Sequence, residues 1–176
     1  MTPIVAGVGQ LSGWRYCPRC VSELTGDDAR RECPACGFVA YASSAPTASA
    51  LVVDNGRVLF SRRRYEPFAG HWDLPGGFLQ EGEHPLDALR RELAEETGLT
   101  IEPERFLGVW IDDYGDGDDA RKTLNLYWTA RVTAGEPQPA DDVTELRWFA
   151  PDEVPADELA FNHIPAVISA RRQQDA

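Results

Sequence analysis

No stretch of 18 or more apolar residues occurs in the chain, which excludes a helix long enough to cross a bilayer. The first twenty residues, MTPIVAGVGQLSGWRYCPRC, lack both a charged start and a long apolar block. No secretory leader is therefore expected, and the cytoplasm is the expected compartment. There is no internal repeat and no low-complexity segment. Positive charge is scarce: 17 Lys and Arg stand against 29 Asp and Glu, a formal net charge of −12. Residues 1–45 hold four of each sign, so the whole imbalance lies in residues 46–176. An acidic surface with no basic patch and no helix-turn-helix pattern repels phosphate backbones, which weighs against nucleic acid as a partner. A small phosphorylated ligand bridged by cations is compatible with it.

What is present suits one medium domain with a small appendage: 176 residues, 43% of them hydrophobic, enough for a core. All four cysteines fall early, as Cys17-Pro-Arg-Cys20 and, twelve residues on, Cys33-Pro-Ala-Cys36-Gly37. Two CxxC pairs suit tetrahedral zinc, because each pair bends the chain so that both sulfurs face one ion. Two disulfides or four buried thiols are the alternatives. A cytosolic setting disfavours the first, and random burial would not give paired spacing. Gly37 fits the tight turn after a ligand. Four sulfur ligands leave no open position, so a zinc ion at Cys17, Cys20, Cys33 and Cys36 is expected to be structural. The expected division is a ribbon-bearing segment, 1–45, and a second domain, 46–176.

Tyr41-Ala-Ser-Ser-Ala-Pro-Thr reads as a linker. TASALVVDNGRVLFSRR contains two strand-like runs around Asn55-Gly56, a strong hairpin signal. A Gly-, Pro- and aromatic-rich loop (YEPFAGHWDLPGG) precedes a helix that Pro85 opens and Gly98 closes. RFLGVWIDDY, KTLNLYWTARV and ELRWFA read as strands, the first two flanking the acidic loop 115–120, and Phe161 to Arg172 reads as a helix. Strands mixed with one or two helices predict an α/β or α+β sandwich.

On the central helix, Leu86, Leu89, Leu93 and Thr97 form one narrow buried stripe, with Glu92 and Glu96 stacked roughly 70° from it. Glu95 lies further round, and Arg91 further still. Like charges four residues apart cost a few tenths of a kcal/mol in an isolated helix. No lysine stands at pairing distance, whereas a hard divalent cation would reverse the cost. A solvated face is the alternative to a site.

Gly77, five residues, Glu83, seven residues, then Arg91-Glu92-Leu93-Ala94-Glu95-Glu96-Thr97-Gly98-Leu99 resembles the Nudix box at every fixed position. The lead-in GHWDLPGGFLQEGE and the preceding hairpin extend the similarity over roughly residues 46 to 170. The resemblance implies a mixed-sheet α/β/α sandwich, here preceded by the small four-cysteine zinc ribbon read from spacing, and a Mg²⁺- or Mn²⁺-dependent pyrophosphohydrolase acting on nucleoside diphosphates linked to another group. Carried over, Glu92 and Glu96 are metal ligands, and Glu95 is a further ligand or a water-orienting group. Arg91 steadies the glutamates, Glu83 supports the turn or an outer metal, and Gly76 and Gly77 admit the ions close to the backbone. It also implies a homodimer.

A ribbon before such a domain resembles NADH pyrophosphatases and RNA NAD-decapping enzymes. Their SQPWPFP-like run is missing here, and only sixteen residues precede Cys17. The chain looks closer to short bacterial ribbon-Nudix proteins grouped with ADP-ribose pyrophosphatases. ADP-ribose or a related nucleotide sugar is the leading expected substrate. NAD(H), nucleoside triphosphates and a non-catalytic nucleotide sensor are the alternatives. Candidates for a general base are Glu145, Asp142, Asp112 and Asp113. Candidates for substrate contact are Arg62, Arg64, Tyr114, Glu145, and the Phe161-Asn162-His163 group, with Arg63 a lesser one. Trp110, Tyr127 and Trp128 are better read as core.

Overall fold

The computed structural model describes residues 10–115, 120–150 and 153–174. The chain separates into two units, residues 1–45 with 113–122, and residues 46–112 with 123–176. Within the first, β1 (Thr25–Gly26), β2 (Arg30–Glu32) and β3 (Val39–Tyr41) form a small antiparallel sheet. Its only buried hydrophobic residues are Leu11, Cys17 and Cys33, among those described. That is too little apolar surface to hold forty residues together by burial.

In the second unit, β4 (Ala45–Asp54) and β5 (Arg57–Arg63) make the expected hairpin. Asn55 and Gly56 both take positive φ, 46° and 77°, as a two-residue turn matched to strand twist requires. The linker expected over Tyr41–Thr47 is shorter than that, with only residues 42–44 outside the strands. Tyr41 ends β3 and β4 already begins at Ala45. The small residues there serve close strand pairing: Thr47, Ala48 and Ser49 face Phe78, Gly77 and Gly76 of β7 (Gly76–Phe78). The loop read between the hairpin and the helix thus contains two short strands, β6 (Trp72–Asp73) on β5 and β7 on β4.

Helix α1 (Pro85–Thr97) is followed by β8 (Thr100–Tyr114), β9 (Arg121–Ala134), β10 (Val143–Phe149) and α2 (Ile164–Gln174). Both β8 and β9 run longer than their apolar runs suggested. Residues 116–119 of the acidic loop lie outside the described residues. The sheet has seven strands, with β10-β5-β4-β9-β8 in order.

Alternation along β4 and β5 divides the core. Leu51, Val58 and Phe60 pack with Ile164, Val167 and Ile168 of α2. Ala48, Ala50, Val52 and Leu59 pack with Ala88, Leu89 and Leu93 of α1. Successive strand residues point to opposite faces, so one sheet carries a helix on each side. This is the predicted sandwich.

Candidate active site

His84 caps α1, its Nδ1 accepting from the Leu86 N–H at 3.3 Å. Gly98 ends the helix at φ 68°, donating to the Ala94 carbonyl. Leu89, Leu93 and Thr97 are buried as the wheel predicts, while Leu86 is only half-buried. Glu96 is 7% exposed, so the margin of the apolar stripe is itself buried. Its Oε2 accepts from the Gly76 N–H at 2.9 Å.

Arg91 organises the remaining glutamates. It donates to both oxygens of Glu83, each at 2.8 Å, to Glu92 Oε1 at 2.7 Å and to Glu95 Oε2 at 3.0 Å. A further N–H reaches the Phe78 carbonyl at 3.2 Å. Only the planar five-donor fork of arginine satisfies so many partners at once. Glu83 Oε2 also accepts from the Gln80 N–H at 2.9 Å, which closes the turn into the helix. Glu95 is the outermost member, its side chain 50% exposed.

Gly76 and Gly77 are required for different reasons. At Gly76, φ is +143° and a Cβ would lie 2.4 Å from the Ala48 carbonyl oxygen and 2.5 Å from the Ser49 Cα. At Gly77 the atoms nearest a Cβ would be those of the Glu92 carboxylate, 2.5 Å away at its Cδ. Gly76→Ala should therefore damage the fold, whereas Gly77→Ala should leave a folded protein with Glu92 displaced. Melting curves and turnover measured side by side check this; an active, folded Gly77→Ala would contradict it.

Arg91 holds the Glu83 carboxyl down at about 2, helped by the Gln80 N–H. Burial moves Glu92 the opposite way, with Arg91 opposing the change. Burial raises Glu96 well above the usual carboxylate range, and the charge of Asp142 adds to it. Ionised together, these two carboxylates would carry more negative charge than Arg91 offsets. An all-oxygen, electron-rich donor set on a backbone stripped of side chains at Gly76 and Gly77 fits Mg²⁺ or Mn²⁺.

Of the other candidates, Asp142 is the one brought toward the helix: the Ala140 N–H, two residues before it, donates to the Glu96 carbonyl at 3.0 Å, and the Asp142 charge acts on Glu92 and Glu96. Glu145 is paired with Arg62 at 3.4 Å and with Arg147. Arg62 also donates to the Gly70 carbonyl at 2.7 Å, and Arg64 to the Val143 carbonyl at 2.8 Å. Asp113 pairs with Lys122, and both, like Tyr114, belong to the first unit. His163 is buried, with Nδ1 2.7 Å from Asp112 Oδ2 and Nε2 2.8 Å from the Tyr127 hydroxyl. Phe161 packs edge-on against Phe68 at 5.2 Å, under the Arg63 guanidinium.

Sequence reasoning missed Asp73. It sits on β6, paired with Arg63 at 3.2 Å, its carboxyl raised by burial despite that partner. Its neighbours Trp72, Leu74 and Pro75 gave the only clue, an acid inside an apolar run.

The cysteine knuckles are matched in geometry. Val21 N–H donates to the Cys17 carbonyl and Gly37 N–H to the Cys33 carbonyl, both at 2.9 Å. Both residues have positive φ, 61° and 72°, so Val21 occupies a conformation costly for a β-branched side chain. All four sulfurs lie within 4.8 Å of one another. No disulfide joins them, and Cys17–Cys36 and Cys20–Cys33 stand at 3.6 and 3.4 Å. Sulfurs bound tetrahedrally to zinc stand about 3.8 Å apart, so the set fits that ion. The thiols hold their protons unevenly: the Ser22 hydroxyl and backbone N–H lower Cys20 to about 6, while Cys36 is pushed up to about 12, the Phe38 N–H being outweighed by the neighbouring cysteines.

A family model described as NUDIX domain matches residues 44–169. The chain is 32% identical over 123 residues to an ADP-ribose pyrophosphatase of Methanocaldococcus jannaschii, covering 70% of each. It is 28% identical over 167 residues to the NAD-capped RNA hydrolase NudC of Pseudomonas aeruginosa. That similarity covers 90% of this chain but only 56% of the relative's length. Among solved structures, a NUDIX hydrolase from Nitrosomonas europaea superposes with a TM-score of 0.74 at 22% identity, covering 90% of this chain and 93% of that one. The NUDIX domain of Shewanella oneidensis NrtR, complexed with ADP ribose, gives 0.61 at 26% identity, covering 76% and 90%.

Proposed function

This chain belongs to the NUDIX family of hydrolases, and on that premise we propose that it cleaves the pyrophosphate of ADP-ribose or a closely related nucleotide sugar. The observation that carries the reading is the convergence of Glu92 and buried Glu96 on the bare backbone of Gly76 and Gly77. Glu92, Glu96, the more exposed Glu95 and a carbonyl at Gly76 or Gly77 would hold the divalent cations. When bound, Mg²⁺ or Mn²⁺ offsets pyrophosphate charge and lowers the pKa of a coordinated water.

The chain's own residues supply position. Arg91 fixes Glu92 and Glu95 in orientation through charge-assisted hydrogen bonds and ties α1 to β7 at the Phe78 carbonyl. Glu83 locks the turn from β7 into the helix. Asp142 is the best-placed group to accept a proton from the attacking water, because Asp112 and Glu145 are already engaged. Water adds across one P–O–P bridge, giving AMP and a ribose phosphate from ADP-ribose. Phosphoryl transfer of this kind depends on positioning and charge stabilisation more than on a protein nucleophile.

An NAD derivative is the second reading. The likeness to NudC covers 90% of this chain, more than residues 44–169 alone, and so reaches into the cysteine segment.

The test is a panel of ADP-ribose, NAD⁺, NADH, nucleotide sugars and nucleoside triphosphates with Mg²⁺, products separated by chromatography. The expected result is the highest kcat/KM with ADP-ribose, yielding AMP and ribose phosphate. Faster release of nicotinamide mononucleotide from NADH or NAD⁺ would establish the second reading. Pyrophosphate from a triphosphate would displace both. Binding without turnover of anything would make the domain a sensor.

A further inference from the structure

Two chains of buried polar side chains leave Asp112, the third residue from the end of β8. One ends on β9, next to β4 in the sheet, and the other reaches β4 itself at Thr47, opposite Phe78. The first begins at the Asp112 carboxylate, 2.7 Å from His163 Nδ1. His163 Nε2 lies 2.8 Å from the Tyr127 hydroxyl, where this chain ends on β9. The second begins at the Asp112 backbone carbonyl, which accepts from the Thr123 hydroxyl at 3.3 Å. Asn125 Nδ2 donates to Thr123 Oγ1 at 3.0 Å and to the Trp110 carbonyl at 3.2 Å. Asn125 Oδ1 accepts from the Thr47 hydroxyl at 2.8 Å.

The β4 pairing is specific. Ser49 pairs with Gly76 and Thr47 with Phe78, the two neighbours of Gly77. Gly76 donates to Glu96, and the Phe78 carbonyl receives Arg91. Ser49 Cα and Oγ would each lie 2.5 Å from a Cβ at Gly76, so the two residues are as close as packing permits. Thr47, Ser49, Thr123, Asn125 and His163 are all buried.

A fold that needed only stability would gain as much from apolar side chains at these positions, because buried polar groups add little net free energy and are costly when unpaired. Satisfied networks instead fix one geometry. Hydrogen bonding also sets direction here. A carboxylate only accepts, so His163 donates from Nδ1 and can accept from Tyr127 at Nε2.

We infer that Asp112 anchors a buried scaffold, running through His163–Tyr127 on one side and Thr123–Asn125–Thr47 on the other, that positions the Gly76–Phe78 backbone and through it Glu96 and Arg91. Tyr127, Asn125 and Thr47 are positioning residues and touch no substrate. The inference rests on the proposed metal cradle and adds what holds it in place.

Tyr127→Phe and Thr47→Val each remove one hydroxyl with little change of shape, and each cuts one chain. Mn²⁺ binding to the full-length protein, followed by electron paramagnetic resonance, provides a readout independent of turnover and of the choice of substrate. Each variant should weaken Mn²⁺ about tenfold, the scale seen when groups behind a metal ligand are removed. The double variant should be weaker than either. Kcat on the best panel substrate should fall with KM unchanged. Wild-type Mn²⁺ affinity in either folded variant would overturn the scaffold, even if that variant melted earlier. Glu96→Gln serves as the control: if it too binds Mn²⁺ normally, the cradle reading has failed rather than the scaffold.

Discussion

Glu96→Gln should abolish turnover while raising the melting temperature of the metal-free protein. The two effects have one cause. Glu96 is buried, and its carboxyl is raised by burial and by the charge of Asp142. A carboxyl whose folded-state pKa exceeds its unfolded value contributes stability below the unfolded value and loses it as pH rises through the folded one. Wherever the group ionises it is therefore a local burden, which neutral glutamine removes. Glutamine keeps an oxygen for the Gly76 N–H but loses the charge a cation requires. Loss of a direct ligand should exceed the ~100-fold upper end typical of groups one step behind the metal. Glu92→Gln should act in the same direction on turnover.

Two measurements check this. Mg²⁺ should raise the melting temperature of the wild type more at pH 8 than at pH 5, and that increment should vanish in Glu96→Gln. Near-normal turnover by a folded Glu96→Gln would remove Glu96 from the chemistry. A pH-independent Mg²⁺ increment would place the ion elsewhere.

Removal of zinc should unfold residues 10–45 and leave the NUDIX domain standing. The cysteine segment buries Leu11, Cys17 and Cys33 as its only hydrophobic residues among those described, and β1 has two residues. Structural zinc supplies about 10–16 kcal/mol in comparably small peptides, far more than such a core can. Mass spectrometry under native conditions should find one zinc per chain. Chelation under reducing conditions should then unfold the segment enough for trypsin to cleave it at Arg15, Arg19, Arg30 and Arg31. The domain that follows should stay resistant. A stripped, reduced protein that resists cleavage at those arginines would show that the ribbon holds without metal.

What could be read from the chain was local. The spacing of Leu89, Leu93 and Thr97 against Glu92 and Glu96 fixes relative placement within one helix, because 100° per residue needs no knowledge of the partner surface. The Asn55-Gly56 turn and the paired CxxC knuckles are local for the same reason. What escaped depends on residues far apart. Asp112 and His163 are separated by 51 positions, and Thr47 and Asn125 by 78. Phe161-Asn162-His163 reads identically whether an imidazole faces a ligand or, as here, completes a buried chain. Asp142 could not be told from other surface acids until β10 carried it toward the helix. The strands β6 and β7 are too short for an alternating pattern, and Gly76 and Gly77 disguise the second as a turn.

Arg91 has a further consequence. A site built to concentrate negative charge must survive intervals without its cation, and Arg91 bridges Glu83, Glu92 and Glu95 during them. It is a resident counter-ion on a fixed tether. Depleting magnesium should therefore silence the protein reversibly, with the glutamate geometry preserved and waiting. Replacing Arg91 with an uncharged residue would turn the same depletion into a structural event, since three carboxylates would then face one another with nothing between them.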